Sequence, residues 1–184
     1  PLARGEWIKL YAALLNEEEK ANELFSEQTA HLDALSDNAS TNKTVAFFHI
    51  SSSGFVVARK SGDYVSKMIE LAGGKYVFEN LGDSDKDTST VTVEMETFYE
   101  IAKDADFIIY NSTIGGEIKT MEEFLSLSGL LKNFKAVKNG NVWCTSENMF
   151  QESLQLGRMI GDFNAIFTDN TENINGVRYL HKLK

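Results

Sequence analysis

Thr44-Val45-Ala46-Phe47-Phe48-His49-Ile50 (TVAFFHI) is the stretch on which the fold class turns. It is a continuous apolar run, rich in β-branched and aromatic residues and too short for a typical helix. Such a run reads as a strand buried on both faces, as in a parallel sheet. Ser51-Ser52-Ser53-Gly54 ends it as a turn. Downstream, residues 62–72 place Tyr64, Val65, Met68, Ile69 and Leu71 at helical spacing, and Gly73-Gly74 supply the stop. Residues 76–78 are a short extended piece, 80–92 a polar, acidic loop, and 94–103 a helix with Met95, Phe98, Tyr99 and Ala102 facing in. Residues 106–110 (DFIIY) repeat the buried-strand signal and lead into the loop 111–116. Thr120 and Glu123 have capping-box spacing and open a helix through Leu127. Asn139-Gly140 turns the chain into a third strand, 141–144, and the loop 145–148 leads to a helix over 151–167. The tail from 168 to 184 is polar and weakly patterned.

Upstream of the deciding run, residues 2–15 carry Trp7, Tyr11, Leu14 and Leu15 at helical spacing. Asn16 reads as a cap, and Glu17, Glu18 and Glu19 suit the positive end of the next helix dipole. That second helix has Ala21, Leu24, Phe25 and Leu32 on one side and fades near Asn38. The expectation is a long helical segment bent at Asn16 and lying on the strands and helices C-terminal to it. Strands alternating with helices then predict an α/β fold with a mainly parallel sheet flanked by helices. Ligands of open parallel sheets bind outside the carboxyl ends of the strands. The loops 51–54, 111–116 and 145–148 are therefore the expected ligand face.

Composition narrows the functional classes. A chain of 184 residues and 20.6 kDa suggests one compact domain. The formal net charge of −9 disfavours a nucleic-acid partner, which a basic face would attract. No apolar run approaches the ~20 residues that cross a bilayer. Cys144 is the lone cysteine, so an internal disulfide and a cysteine-based zinc site are excluded. A first residue of Pro rather than Met suggests a processed or shortened chain.

Few constellations carry chemistry. Asp83, Asp85 and Asp87 with Glu94 imitate a calcium loop, but Thr88 stands where the sharp turn needs Gly, so the segment reads as a solvated acidic loop. Ser52 has the second glycine of a nucleophile elbow in Gly54, but Ile50 replaces the first, so the turn offers hydroxyls rather than a nucleophile. Cys144 has no activating partner in sequence and reads as an inert thiol. His31, His49 and His181 lack ligand spacing; His49, near a strand end, either reaches a ligand or is structural. Gly115-Gly116 lacks the Lys-Ser/Thr of a phosphate loop. Arg59 and Lys60 either meet an anionic ligand group or are solvated cations. Tyr110, Trp143, Met149 and Phe150 are either core or the wall of an apolar cleft.

Four segments, in order, add a resemblance. Residues 1–10 (PLARGEWIKL) resemble the start of the interlobe helix of class III substrate-binding proteins of ABC importers, the receptors for iron–siderophore complexes, haem and cobalamin. Residues 70–78 (ELAGGKYVF) resemble a segment after a helix of that family's C-terminal lobe. Residues 93–96 (VEME) with 105–109 (ADFII), and residues 134–143 (FKAVKNGNVW), resemble two more. The resemblance implies an interlobe helix and following helix over 1–40, a C-terminal ligand-binding lobe over 41–168, a polar tail over 169–184, and a missing N-terminal lobe. It implies a non-enzymatic, extracytoplasmic protein, periplasmic or lipid-anchored, with no resident cofactor or protein metal site. Such a protein captures a metal-chelate ligand (a ferric siderophore, haem or a corrinoid) and hands it to permease subunits. By position on the strand-end loops, the ligand wall would comprise Ser53, Arg59, Tyr110, Ser112, Trp143 and Phe150. Glu96 occupies the position of a glutamate that docks on permease arginines; alone it also reads as a first-turn Glu favouring the helix dipole. Glu94 and Ala105 depart from the family's usual cap and Pro. The alternative is a small α/β enzyme or a sensor domain using the same crevice, without a visible base–nucleophile pair.

Overall fold

The computed structural model describes residues 1–36, 40–79, 81, 88–146, 148–169 and 176–184. Helices α1 (Leu2–Leu15) and α2 (Glu18–Ser36) open the chain. Next come strands β1 (Lys43–Ile50) and β2 (Val56–Arg59), helix α3 (Tyr64–Leu71) and strands β3 (Gly74–Tyr76) and β4 (Thr90–Val93). The remainder comprises α4 (Met95–Ala102), β5 (Phe107–Tyr110), α5 (Met121–Ser126), the short α6 (Lys135–Lys138), β6 (Val142–Thr145), α7 (Leu156–Phe167) and β7 (Leu180–Lys182).

The sheet order is β4-β2-β1-β5-β6-β7, with β3 pairing the first residues of β1. β1, β5 and β6 form a parallel centre, in the register Phe48 opposite Tyr110 and Tyr110 opposite Cys144. The edges are antiparallel: β2 folds back on β1, β4 on β2, and β7 on β6. The expected α/β class with a parallel central sheet is present, and three antiparallel strands extend it. Sequence pattern marks none of these three. Each has only three or four residues, and its pairing depends on an edge that other strands create.

Alternation along β1 builds two cores. Phe48 faces α4 and α5, its ring 4.3 Å from Phe98, which lies 5.4 Å from Phe134. Phe107, on the other face, meets Phe167 of α7 at 5.5 Å. Residues Val45 to Phe48 are all 1% exposed or less, as a strand covered on both faces requires. At the amino ends of β1 and β5, Asp106 accepts from the Thr44 N–H and hydroxyl, both at 2.9 Å, and from Lys135 Nζ at 2.8 Å. That knot fixes the strands' relative register.

The opening segment differs from the expected bent rod. Asn16 adopts φ 56° and ψ 42°, and the N–H groups of Asn16 and Glu17 both return to Ala12 O. Asparagine tolerates this left-handed conformation, which reverses the chain. α2 therefore folds back along α1, and Lys9 Nζ reaches 4.1 Å from the Phe25 ring. The pair is a helical hairpin seated on α7, where a Cβ at Gly157 would stand 2.3 Å from Gln28 O. Only glycine permits that approach.

The tail also differs from the expected unpatterned segment. Tyr179, Leu180 and Leu183 are buried, and β7 covers the outer edge of β6. The acidic residues Asp83, Asp85 and Asp87, and the fading of α2 near Asn38, lie outside the described residues.

Candidate functional site

The three parallel strands end together at Ile50, Tyr110 and Thr145, because their register is set by the same ladder. Beyond them lies an open cleft of about 830 Å³, lined by the 51–54 turn, Tyr110, residues 114–118 and the α5 residues Glu123, Ser126 and Leu127. His49 and Ile50 complete its floor. The first turn is held by Ser51: its N–H donates to Phe55 O at 2.8 Å and its Oγ accepts from Phe55 N–H at 3.2 Å. Gly54, at φ 84°, supplies the left-handed residue that the reversal needs.

Tyr110 Oη accepts from the Ile50 N–H at 3.3 Å, which leaves the phenolic proton to donate toward a ligand. Burial holds that phenol above its ordinary pKa, so it stays a neutral donor. Burial and the nearby Arg59 charge both lower the His49 pKa from 6.5, so the imidazole is uncharged at neutral pH. The far rim is pinned by the capping box: Glu123 accepts from the Lys119 and Thr120 N–H groups at 2.8 and 3.1 Å. Those donors hold its carboxyl below the usual range and therefore ionised.

A smaller polar recess of about 280 Å³ adjoins at Glu117, with Ser146, Asn148, Arg178 and Tyr179. Arg178 grips both carboxylate oxygens of Glu152 at 2.9 Å, and the Tyr179 hydroxyl donates to the same carboxylate. Buried Asp162 accepts the N–H groups of Arg178 and Tyr179 at 2.9 and 2.8 Å and so fixes the approach to β7.

The residues expected from sequence are divided by this geometry. Tyr110 lines the cleft, and Ser53 sits on its first turn, with Oγ 3.0 Å from Ser51 Oγ. Ser112 is 3% exposed; its N–H donates to Thr145 Oγ1 at 3.0 Å and its hydroxyl to Thr145 O, so it stitches β5 to β6. Trp143 points to the sheet face opposite Tyr110, with Lys182 Nζ 5.9 Å from its ring. Arg59 and Phe150 meet each other, at 5.7 Å, rather than the cleft lining. β2 runs back antiparallel, so Arg59 is carried away from the strand ends and pairs with Asp63 at 3.5 Å. Tyr64 and Arg4 extend that cluster, the guanidinium lying 4.5 Å above the ring. Ile114 falls in the expected loop 111–116, but sequence reasoning missed Glu117, Ile118, Glu123, Ser126 and Leu127 as lining, although the capping box that aims three of them was legible. Glu96 is exposed in the first turn of α4. β4 ends with Val93 opposite Val56, so α4 starts at the cleft end of the sheet.

Other chemistry finds little support. Cys144 is fully buried and its thiol is pushed up to about 12, as an inert core residue would be. Among the described residues no cluster of three His, Cys, Asp or Glu side chains is placed to hold a metal ion, and no helix is long and apolar enough to cross a membrane.

Known proteins share both sequence and fold with this chain. It is 31% identical over 156 residues to an uncharacterized lipoprotein, MJ0878, of Methanocaldococcus jannaschii, covering 84% of this chain and 36% of that protein. The lipoprotein MJ0872 of the same organism is 30% identical over 155 residues, covering 81% and 38%. The chain thus spans less than half the length of these curated relatives. Among solved structures, an ABC transporter substrate-binding protein from Listeria monocytogenes superposes with a TM-score of 0.67 at 21% identity, covering 90% of this chain and 64% of the other. An Fe3+-hydroxamate transport protein from Saccharomonospora viridis gives 0.71 at 16% identity, covering 89% and 54%. The haem-binding protein RhuT from Roseiflexus gives 0.70 at 16% identity, covering 90% and 62%. At these identities the structural likeness establishes a shared fold. The family model described as periplasmic binding protein matches residues 3–148, and on that match the chain belongs to the periplasmic binding protein family.

Proposed function

We propose that this chain is one ligand-binding lobe of an ABC importer's substrate-binding protein. It captures a metal chelate outside the cytoplasmic membrane, a ferric siderophore, haem or a corrinoid, and presents it to the permease. The observation that carries this reading is the coincidence of two features at one end of the sheet. The open, hydroxyl-bearing cleft and the exposed Glu96 both lie at the carboxyl ends of the parallel strands. A receptor must show its cargo and its docking charge to the same partner, and an exposed carboxylate steers encounter with a basic surface. The relatives named as lipoproteins support an extracytoplasmic, anchored location, and the haem and Fe3+-hydroxamate neighbours support the chelate class.

In this reading a second lobe supplies the facing wall. A cleft open on one side buries too little of a ligand for tight binding. The exposed apolar side chains of α1 support such a neighbour: Trp7, Leu10, Tyr11, Leu14 and Leu15 are each at least 51% exposed. No enzymatic role is assigned, since among the described residues the cleft holds no activated nucleophile beside a base.

The docking role is tested by Glu96→Ala in the complete receptor. Uptake of the chelate should fall while its affinity for the receptor stays within about twofold, since the residue lies outside the cleft. Undiminished uptake would remove the docking role. Titration of the receptor with ferric siderophores, haem and cobalamin, monitored by intrinsic fluorescence, tests the cargo class; silence toward all three would overturn the reading.

A further inference from the structure

The charge of the cleft wall selects among chelates. Glu117 and Glu123 line it, and among the described residues neither lysine nor arginine does. The arginines nearest the two recesses are occupied: Arg59 by Asp63 at 3.5 Å, and Arg178 by both oxygens of Glu152 at 2.9 Å. Lys119 reaches Glu117 at 3.4 Å but is itself 71% exposed and only partly offsets it; His181 Nδ1 stands 3.8 Å from the same carboxylate. His49, the one basic side chain on the floor, is neutral. The Ser126 hydroxyl donates to Glu123 O at 2.7 Å, so what remains to meet a ligand are the hydroxyls of Ser51, Ser52 and Tyr110, and the apolar surfaces of Ile114 and Leu127.

Resting on the receptor reading above, we propose that this wall accepts an uncharged metal chelate and rejects polyanionic ones. Three singly charged hydroxamates around a trivalent metal give a neutral complex with outward oxygens that accept hydrogen bonds. Hydroxyl donors and exposed aliphatic side chains suit that surface. Three doubly charged catecholates leave a trianion, which the two wall carboxylates repel. The two nearest guanidiniums, Arg59 and Arg178, are already paired within the chain.

The test uses this 184-residue chain, 15N-labelled, with gallium(III) trihydroxamate and gallium(III) tris-catecholate as diamagnetic probes. Amide shifts in residues 49–54 and 110–118 report occupancy even at millimolar affinity. The trihydroxamate should bind at least about tenfold more tightly than the tris-catecholate at low salt. The gap should narrow as salt screens the carboxylates, and narrow again in Glu117→Gln, which should improve tris-catecholate binding by removing one wall charge. Equal or tighter binding of the trianion by the wild-type chain overturns this charge rule and leaves the receptor reading standing. Absence of shifts at those loops with both probes also overturns the charge rule, and the titration with haem and cobalamin then decides the receptor reading.

Discussion

The α/β lobe and the α1–α2 hairpin use the same kinds of side chain to opposite ends. In the lobe, Phe48, Phe98 and Phe134 are at most 1% exposed and pack in series on one face of the sheet, Phe98 touching the other two. On α1, Trp7, Leu10, Tyr11 and Leu14 are 51 to 75% exposed, spaced along one side of the helix. Gly5 and Ala12 are the small residues that α1 buries instead. Burying a large apolar side chain contributes about 2–3 kcal/mol, so the lobe holds its own core while α1 leaves that stabilisation unused within this chain. The difference teaches that hydrophobicity alone does not identify a core; the surface that receives it must exist.

Mutations break or sharpen that contrast. The largest effect is expected for Phe98→Ala, whose ring meets Phe48, Phe78 and Phe134; loss of about 3–5 kcal/mol should appear in urea denaturation. A smaller loss would mean the lobe core repacks easily. Gly157→Ala acts at the joint between the two regions, where the new Cβ meets Gln28 O at 2.3 Å. It should cost about 1–3 kcal/mol and expose the hairpin to limited proteolysis before the lobe. Unchanged proteolysis would show that α2 can slide.

Asp106→Asn removes the charged acceptor that ties β1 to β5 and should cost about 1–2 kcal/mol at neutral pH. Burial pushes this carboxyl up, but Lys135 and the Thr44 donors outweigh burial and hold it below its ordinary 3.8. A depressed carboxylate contributes stability above its unfolded pKa, and that stability is lost as pH falls through the folded value. The wild type should therefore lose more stability than the variant on acidification below 3.8; parallel pH curves would deny the knot. The smallest effect is expected for Trp7→Gln, Leu10→Gln and Leu14→Gln together, within about 1 kcal/mol by the same denaturation. A loss of several kcal/mol would mean that the stripe already has a partner inside the chain.

The site was legible in outline. The strand-end loops were found because apolar runs stop at Ser51 and Asn111, and the capping box at Thr120 was read from spacing alone. Among individual wall residues Tyr110 was, but most were not, because direction matters more than position. Arg59 stands only six residues beyond Ser53, yet the antiparallel return of β2 carries it to Phe150. Ser112 occupies a strand-end loop, yet Thr145, 33 positions away, takes its hydrogen bonds.

Local pattern therefore determined the α/β class, the three parallel strands, the helices α3, α4 and α5 between them and the end of the sheet that holds a cleft. Those features follow from side-chain periodicity and backbone preference, which act within a few residues. Tertiary structure alone decided the edge strands β2, β4 and β7, the reversal of α2 onto α1, and which polar groups face the cleft. Each depends on a surface built by residues distant in sequence, and no local pattern records what that surface leaves free.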